Sequence, residues 1–104
     1  MDLRELQTTV DEWVKNHGGY WDEFQILARM VEELGELSSD LQRFRGLRPR
    51  PANVDLPAEI GDLLFTLACF ANIFEVNLEQ ALRDTLKKYN ERDSEAWKSS
   101  RKKF

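Results

Sequence analysis

The sequence is poor in residues that cross-link a chain or bend it sharply: one cysteine, one histidine, three prolines and five glycines among 104 residues. The single thiol, Cys69, cannot form an internal disulfide, and one thiol makes no metal cage. It lies in the apolar run Leu67-Ala68-Cys69-Phe70 and reads as core packing. So few Gly and Pro, with 41% hydrophobic and 33% charged residues, exclude a disordered chain and a sandwich of tight turns. No stretch alternates with the period of a strand. The longest uncharged apolar stretch, Leu63 to Phe74, is too short to span a bilayer, so no membrane partner is expected. Positive charge is not in excess either. The formal net charge is −4, and stable nucleic-acid binding is not expected. Met1-Asp2-Leu3-Arg4-Glu5 is a charged amphipathic start and not a signal peptide, which makes a cytoplasmic location the expectation.

What remains is helical periodicity. Residues 1–104 suit a single domain, with the basic end from about 98 to 104 frayed. A first helix is predicted from Asp2 to Asn16, with Leu3, Leu6, Val10, Trp13 and Val14 on one face, and His17-Gly18-Gly19 ends it. A second runs from near Trp21 to about Arg45. Its Leu27, Met30, Leu34, Leu37, Leu41 and Phe44 recur at spacings of three and four, the pattern of a helix packed lengthwise on others. Leu47 to Val54 is a loop. The third helix, Asp55 to about Glu75, is apolar nearly all round and so should be central and surrounded by protein. The fourth opens at Asn77, with Gln80 close to completing a capping box, and carries Leu78, Leu82, Leu86, Tyr89 and Trp97 before dissolving at Lys98. The fold class is therefore all-α and bundle-like, and in so short a chain self-association is one way to complete the core.

The chemistry lies in the acids of the second and third helices, Glu32-Glu33-Leu34-Gly35-Glu36 and Glu59-Ile60-Gly61-Asp62. Residues three apart on a helix are surface neighbours, so Glu33/Glu36 and Glu59/Asp62 each form a pair. The second pair stands at the start of the most apolar helix, where burying ionised carboxylates demands a compensating cation. Four carboxylates make a hard-oxygen site, suited to Mg²⁺ or Mn²⁺ and not to zinc. Gly35 and Gly61, one inside each pair, would let something approach the backbone. A di-iron bundle needs Glu-x-x-His pairs, and the only histidine, His17, lies in a loop. The plainer alternatives are a solvated acidic face and a helix N-terminus that favours acids.

These residues resemble a known signature. Glu32-Glu33-x-x-Glu36, a spacer of about twenty residues, and Glu59-x-x-Asp62 are similar to the motif of MazG-like nucleotide pyrophosphohydrolases, within the all-α NTP pyrophosphohydrolase superfamily. Gly19-Tyr20-Trp21, Ala28-Arg29, Leu63-Leu64-Phe65 and Lys88-Tyr89-Asn90-Glu91-Arg92-Asp93 extend the match to roughly Gly19–Trp97. The resemblance implies a four-helix bundle-like fold completed by dimerisation. It implies Mg²⁺ on Glu33, Glu36, Glu59 and Asp62, with Glu32 or an underligated Glu36 as base toward the attacking water. It further implies hydrolysis of a nucleoside triphosphate to monophosphate and pyrophosphate, in a homodimer or homotetramer with sites near subunit interfaces.

Phosphate oxygens also need donors, and the family places phosphate contacts in the region of Lys88, Asn90 and Arg92. Trp21 beside its glycine turn is the candidate for stacking on a base. Two other functions stay open at this point. One is a non-catalytic helical dimerisation or nucleotide-binding module, and the other is hydrolysis of phosphoribosyl-ATP on the same fold. Nothing in the sequence selects a base or sugar.

Overall fold

The computed structural model describes residues 1–49 and 54–101, and they are helical with short connections. Helix α1 (Leu3–Asn16) begins at Asp2, whose carboxylate accepts the Glu5 amide proton at 2.8 Å. Helix α2 (Glu23–Phe44) starts two residues later than its periodicity suggests, because Asp22 and Gln25 close a full capping box there. Helix α3 (Leu56–Ile73) is capped by Asp55, with Pro57 tolerated in the first turn. Helix α4 (Leu78–Lys88) is capped by Asn77, but Gln80 donates forward to Asp84 at 2.9 Å, so its box stays half closed. The helix then widens into a π turn, Tyr89–Asp93, and continues as α5 (Ser94–Arg101). Of the basic end, residues 98–101 belong to α5, and residues 102–104 lie outside the described residues. The predicted Leu47–Val54 loop is described only outside residues 50–53.

Helices α1, α2 and α3 end in the same way. The amides of Gly19, Leu47 and Val76 each reach back five residues, to the carbonyls of Val14, Gln42 and Ala71, at 2.8–2.9 Å. The residue before each adopts positive φ: Gly18 at +106°, Gly46 at +78°, and Glu75 at +55°. Glycine takes this conformation without strain; Glu75 does not.

Helix α3 is the hub. Helix α2 packs along it, α1 packs on another side, and α4 leans mainly on α1. Val14, Ile26 and Cys69 form the buried core where the three meet, with Val10, Tyr20, Phe70 and Ile73 packed around them. Cys69 is the core residue its apolar run suggested. By length and composition alone α3 could cross a membrane, but α1 and α2 lie on it and it carries Glu59 and Asp62.

The expectation of an enclosed α3 and a fully packed α2 seam is only half met. Leu34 on α2 and Ile60 on α3 are each 55% exposed, and Leu27, Leu41, Leu64 and Leu67 are also open. The cause is arithmetic of surfaces: one chain supplies only two helices to cover a third that is apolar nearly all round. The Cα radius of gyration is 16.8 Å, against about 13 Å for a compact domain of this length. The accessible surface is 8265 Å², against roughly 6,100 Å² for a folded monomer of this mass.

Candidate active site

The lengthwise packing of α2 on α3 brings three acids to one point. Glu33, Glu59 and Asp62 each offer a carboxylate oxygen, and these oxygens lie within 4.8 Å of one another. The deeply buried acid is Glu33, at 1% exposure, while Glu59 is half-buried and Asp62 exposed. This corrects the expectation that the α3 pair is the buried one: α2 turns Glu33 inward, whereas the α3 acids sit nearer the edge of the packed surface.

Glu33 is satisfied on one side only. Its Oε1 accepts from Arg29 at 2.6 Å, one helical turn earlier. Its Oε2 is buried with no hydrogen-bond donor among the described residues, and so is Oε2 of Glu59. A buried carboxylate oxygen without a donor costs free energy unless a cation compensates it. Three converging carboxylates with two such oxygens therefore fit a divalent, oxygen-preferring ion.

Glu59 also faces a second set of acids. A groove of about 450 Å³ on its other side is lined by Gly35, Glu36, Ser39, Asp40, Arg43 and Glu59. A hydrogen bond with Asp40, then desolvation, then the charges of Asp40, Glu36 and Glu33 push the Glu59 carboxyl up to about 7. Asp40 is itself ion-paired with Arg43 at 3.1 Å. Glu36 is exposed in this groove beside Glu59, and it is not one of the three acids whose oxygens converge within 4.8 Å. Glu32 is exposed as well and meets Arg29 at 3.4 Å. A Cβ atom at Gly35 or Gly61 would meet nothing within 4 Å among the described residues.

Beside the acids lies a cavity of about 320 Å³ with aromatic walls. His17 stacks on Trp13 with centroids 4.1 Å apart, and Trp13 meets Phe65 edge-on at 5.6 Å. The His17 Nδ1 lies 2.6 Å from the Trp13 carbonyl oxygen, which can only accept, so this nitrogen carries the proton. Trp21, 58% exposed, stands at the rim, and Arg29, Glu33 and Asp62 line the same space. An aromatic chamber thus opens onto the carboxylates. Lys88, Asn90 and Arg92 do not border it; they lie at the end of α4 and in the π turn, with the Lys88 ammonium 5.3 Å from the Tyr89 ring centre.

Two participants escaped the sequence reading, Arg29 and Asp40. Each left a signal: Arg29 precedes Glu33 by four residues, and Glu33, Glu36 and Asp40 follow the i, i+3, i+7 period of one helix face.

The profile of the MazG nucleotide pyrophosphohydrolase domain matches residues 22–97. The chain is 35% identical over 99 residues to the uncharacterized protein YpjD of Bacillus subtilis (strain 168), covering 91% of this chain and 89% of that protein. The crystal structure of Bacillus subtilis YpjD superposes with a TM-score of 0.79 at 34% identity, covering 86% of this chain and 96% of that one. A Bacillus-conserved MazG protein, described as a nucleotide pyrophosphohydrolase, superposes at 0.76 and 29% identity over 91% and 96% of the two chains. iMazG from Vibrio DAT 722 follows at 0.62 and 28%, over 86% and 97%. The all-α architecture expected from the sequence is the architecture of these proteins.

Proposed function

Because the chain belongs to the MazG nucleotide pyrophosphohydrolase family, we propose that it is a Mg²⁺-dependent enzyme hydrolysing (d)NTP to (d)NMP and pyrophosphate, clearing unwanted nucleotides from the cytoplasmic pool. The observation that carries this reading is the pair of buried, donor-less oxygens on Glu33 and Glu59 beside Asp62.

Glu33, Glu59 and Asp62 would hold the cation, with Glu36 as a further ligand reached through Glu59. When bound, Mg²⁺ supplies charge neutralisation of the triphosphate and a more acidic water. The chain's own residues do the rest. Arg29 fixes the Glu33 carboxylate, leaving its second oxygen for the cation. Glu36 or Glu32, both solvent-accessible, accepts the proton of the water that attacks the α-phosphorus. The cavity between Trp13, His17 and Trp21 receives the base and sugar, with Trp21 stacking at the rim.

We assign Lys88, Asn90 and Arg92 to the phosphates. Since α4 leans mainly on α1 and leaves its apolar face open, the reading places them near a site of a neighbouring copy. The large accessible surface supports a homodimer or homotetramer.

The test is pyrophosphate release from a panel of canonical and modified nucleoside triphosphates with Mg²⁺. Asp62→Ala and Glu36→Ala should each lose at least ~100-fold in kcat/KM. No release from any member of the panel refutes the proposal for those substrates.

A further inference from the structure

One side of the aromatic cavity is built on a connection, and the helices supply the rest. His17, Gly19, Tyr20 and Trp21 all lie between the end of α1 and the start of α2. Gly18 and Gly19 lend this segment little stiffness of its own. What holds it lies behind the cavity. The Tyr20 hydroxyl donates to Asp11 Oδ1 at 2.6 Å and accepts from Asn72 Nδ2 at 3.1 Å. Asn72 Nδ2 also donates to the Gln7 backbone carbonyl at 3.0 Å, and Asn72 Oδ1 accepts from Gln7 Nε2 at 3.0 Å. Gln7 Nε2 gives its other proton to the Val76 carbonyl at 2.7 Å, while Gln7 Oε1 accepts the Leu78 amide proton at 2.8 Å.

Both carboxamides spend both of their N–H groups, and neither can be turned over. A flipped Asn72 would set its oxygen against the Gln7 carbonyl and its nitrogen against Gln7 Nε2. Lys15, 2.8 Å from Asp11, holds that carboxylate ionised as the acceptor at the end of the chain. Desolvation, with the Asp11 hydrogen bond adding, pushes the Tyr20 hydroxyl up to about 12, so it remains a donor at any working pH. Packing alone does not require this arrangement, since Val14, Ile26 and Cys69 already join the three helices. Asp11, Asn72 and Gln7 do not line the cavity; Tyr20 does.

We infer that Tyr20 and Asn72 are positioning residues for the base and sugar: the Asp11–Tyr20–Asn72–Gln7 chain fixes the α1–α2 connection and thereby sets the width of the aromatic cavity. This rests on the nucleotide reading of that cavity. Tyr20→Phe removes the hydroxyl, and Asn72→Asp keeps the shape while losing both donors. Ala68→Gly, at a wholly buried position on α3 that does not line the cavity, weakens the fold and serves as the comparison.

Two readouts decide the matter. Without nucleotide, amide hydrogen exchange over residues 17–21 should quicken by roughly 10-fold or more in Tyr20→Phe and Asn72→Asp, relative to α2 and α3. In pyrophosphate release, KM should rise about 5- to 10-fold with kcat within about 2-fold, and the ranking among bases should flatten. Ala68→Gly should do neither. Unchanged exchange over 17–21 overturns the clamp. Faster exchange with unaltered KM and base ranking overturns its role toward the substrate. A wild-type protein that cleaves no triphosphate refutes the nucleotide reading and takes the substrate role with it, and the exchange result separates that case from absence of the clamp.

Discussion

Glu59 stands between two groups of acids, Glu33 and Asp62 on one side and Glu36 and Asp40 on the other. Its carboxyl is raised from 4.5 to about 7, first by the hydrogen bond with Asp40 and then by desolvation and neighbouring charge. A folded value above the unfolded one means that folding binds a proton. The stability from this group is therefore full below about pH 4.5 and is lost as the pH rises through 7. In EDTA the protein should melt at a lower temperature at pH 8 than at pH 5.5, with a smaller drop in Asp40→Asn. Added Mg²⁺ should raise the melting temperature more at pH 8, since a bound cation takes the place of the proton. Melting temperatures that ignore both pH and Mg²⁺ would count against the acids as a cation site. At this scale the acids were legible because helical spacing dictates which of them share a face. The Tyr20–Asn72–Gln7 chain was not, because its bonds join residues 52 to 71 positions apart and no local period links them.

Helices start where a side chain can take up free amides, which is why Asp2, Asp55 and Asn77 mark their elements correctly from sequence. The start of α2 lies two residues beyond Trp21, because Asp22 is the residue that caps. The turn after α3 gave no warning: where α1 and α2 end on glycine at positive φ, α3 ends on Glu75. Glu75→Gly should relieve that backbone and raise stability by about 1 kcal/mol, read as a higher urea midpoint with unchanged slope. A lower midpoint would mean that the Glu75 side chain contributes more than its backbone strain removes. The π turn was equally illegible, since Tyr89–Asp93 has no residue that distinguishes it from an ordinary helical turn.

Taken whole, the chain has more accessible surface than a folded monomer of its mass, and many large apolar side chains lie open on it. The periodicity of α2 and α3 foretold which residues were apolar, but not that one chain would leave Leu34 and Ile60 uncovered, because a period says nothing of how many neighbours a helix finds. Leu34→Asp with Ile60→Asp should convert the proposed assembly to monomer in sedimentation velocity and remove the concentration dependence of its melting temperature. Identical sedimentation by the parent and the double variant would refute this face as the interface. The π turn bears on the same surface. In an unbroken α-helix Leu82, Leu86, Tyr89 and Trp97 would follow one stripe, at steps of four, three and eight residues. Widening one turn by a residue shifts the phase of everything after it by about 100°. Trp97 thereby passes from about 60° on one side of Leu82 to about 40° on the other, and so stays on the stripe of Leu82, Leu86 and Tyr89. The arm therefore keeps one open apolar edge from Leu82 to Trp97, a keel along which a single partner surface can lie.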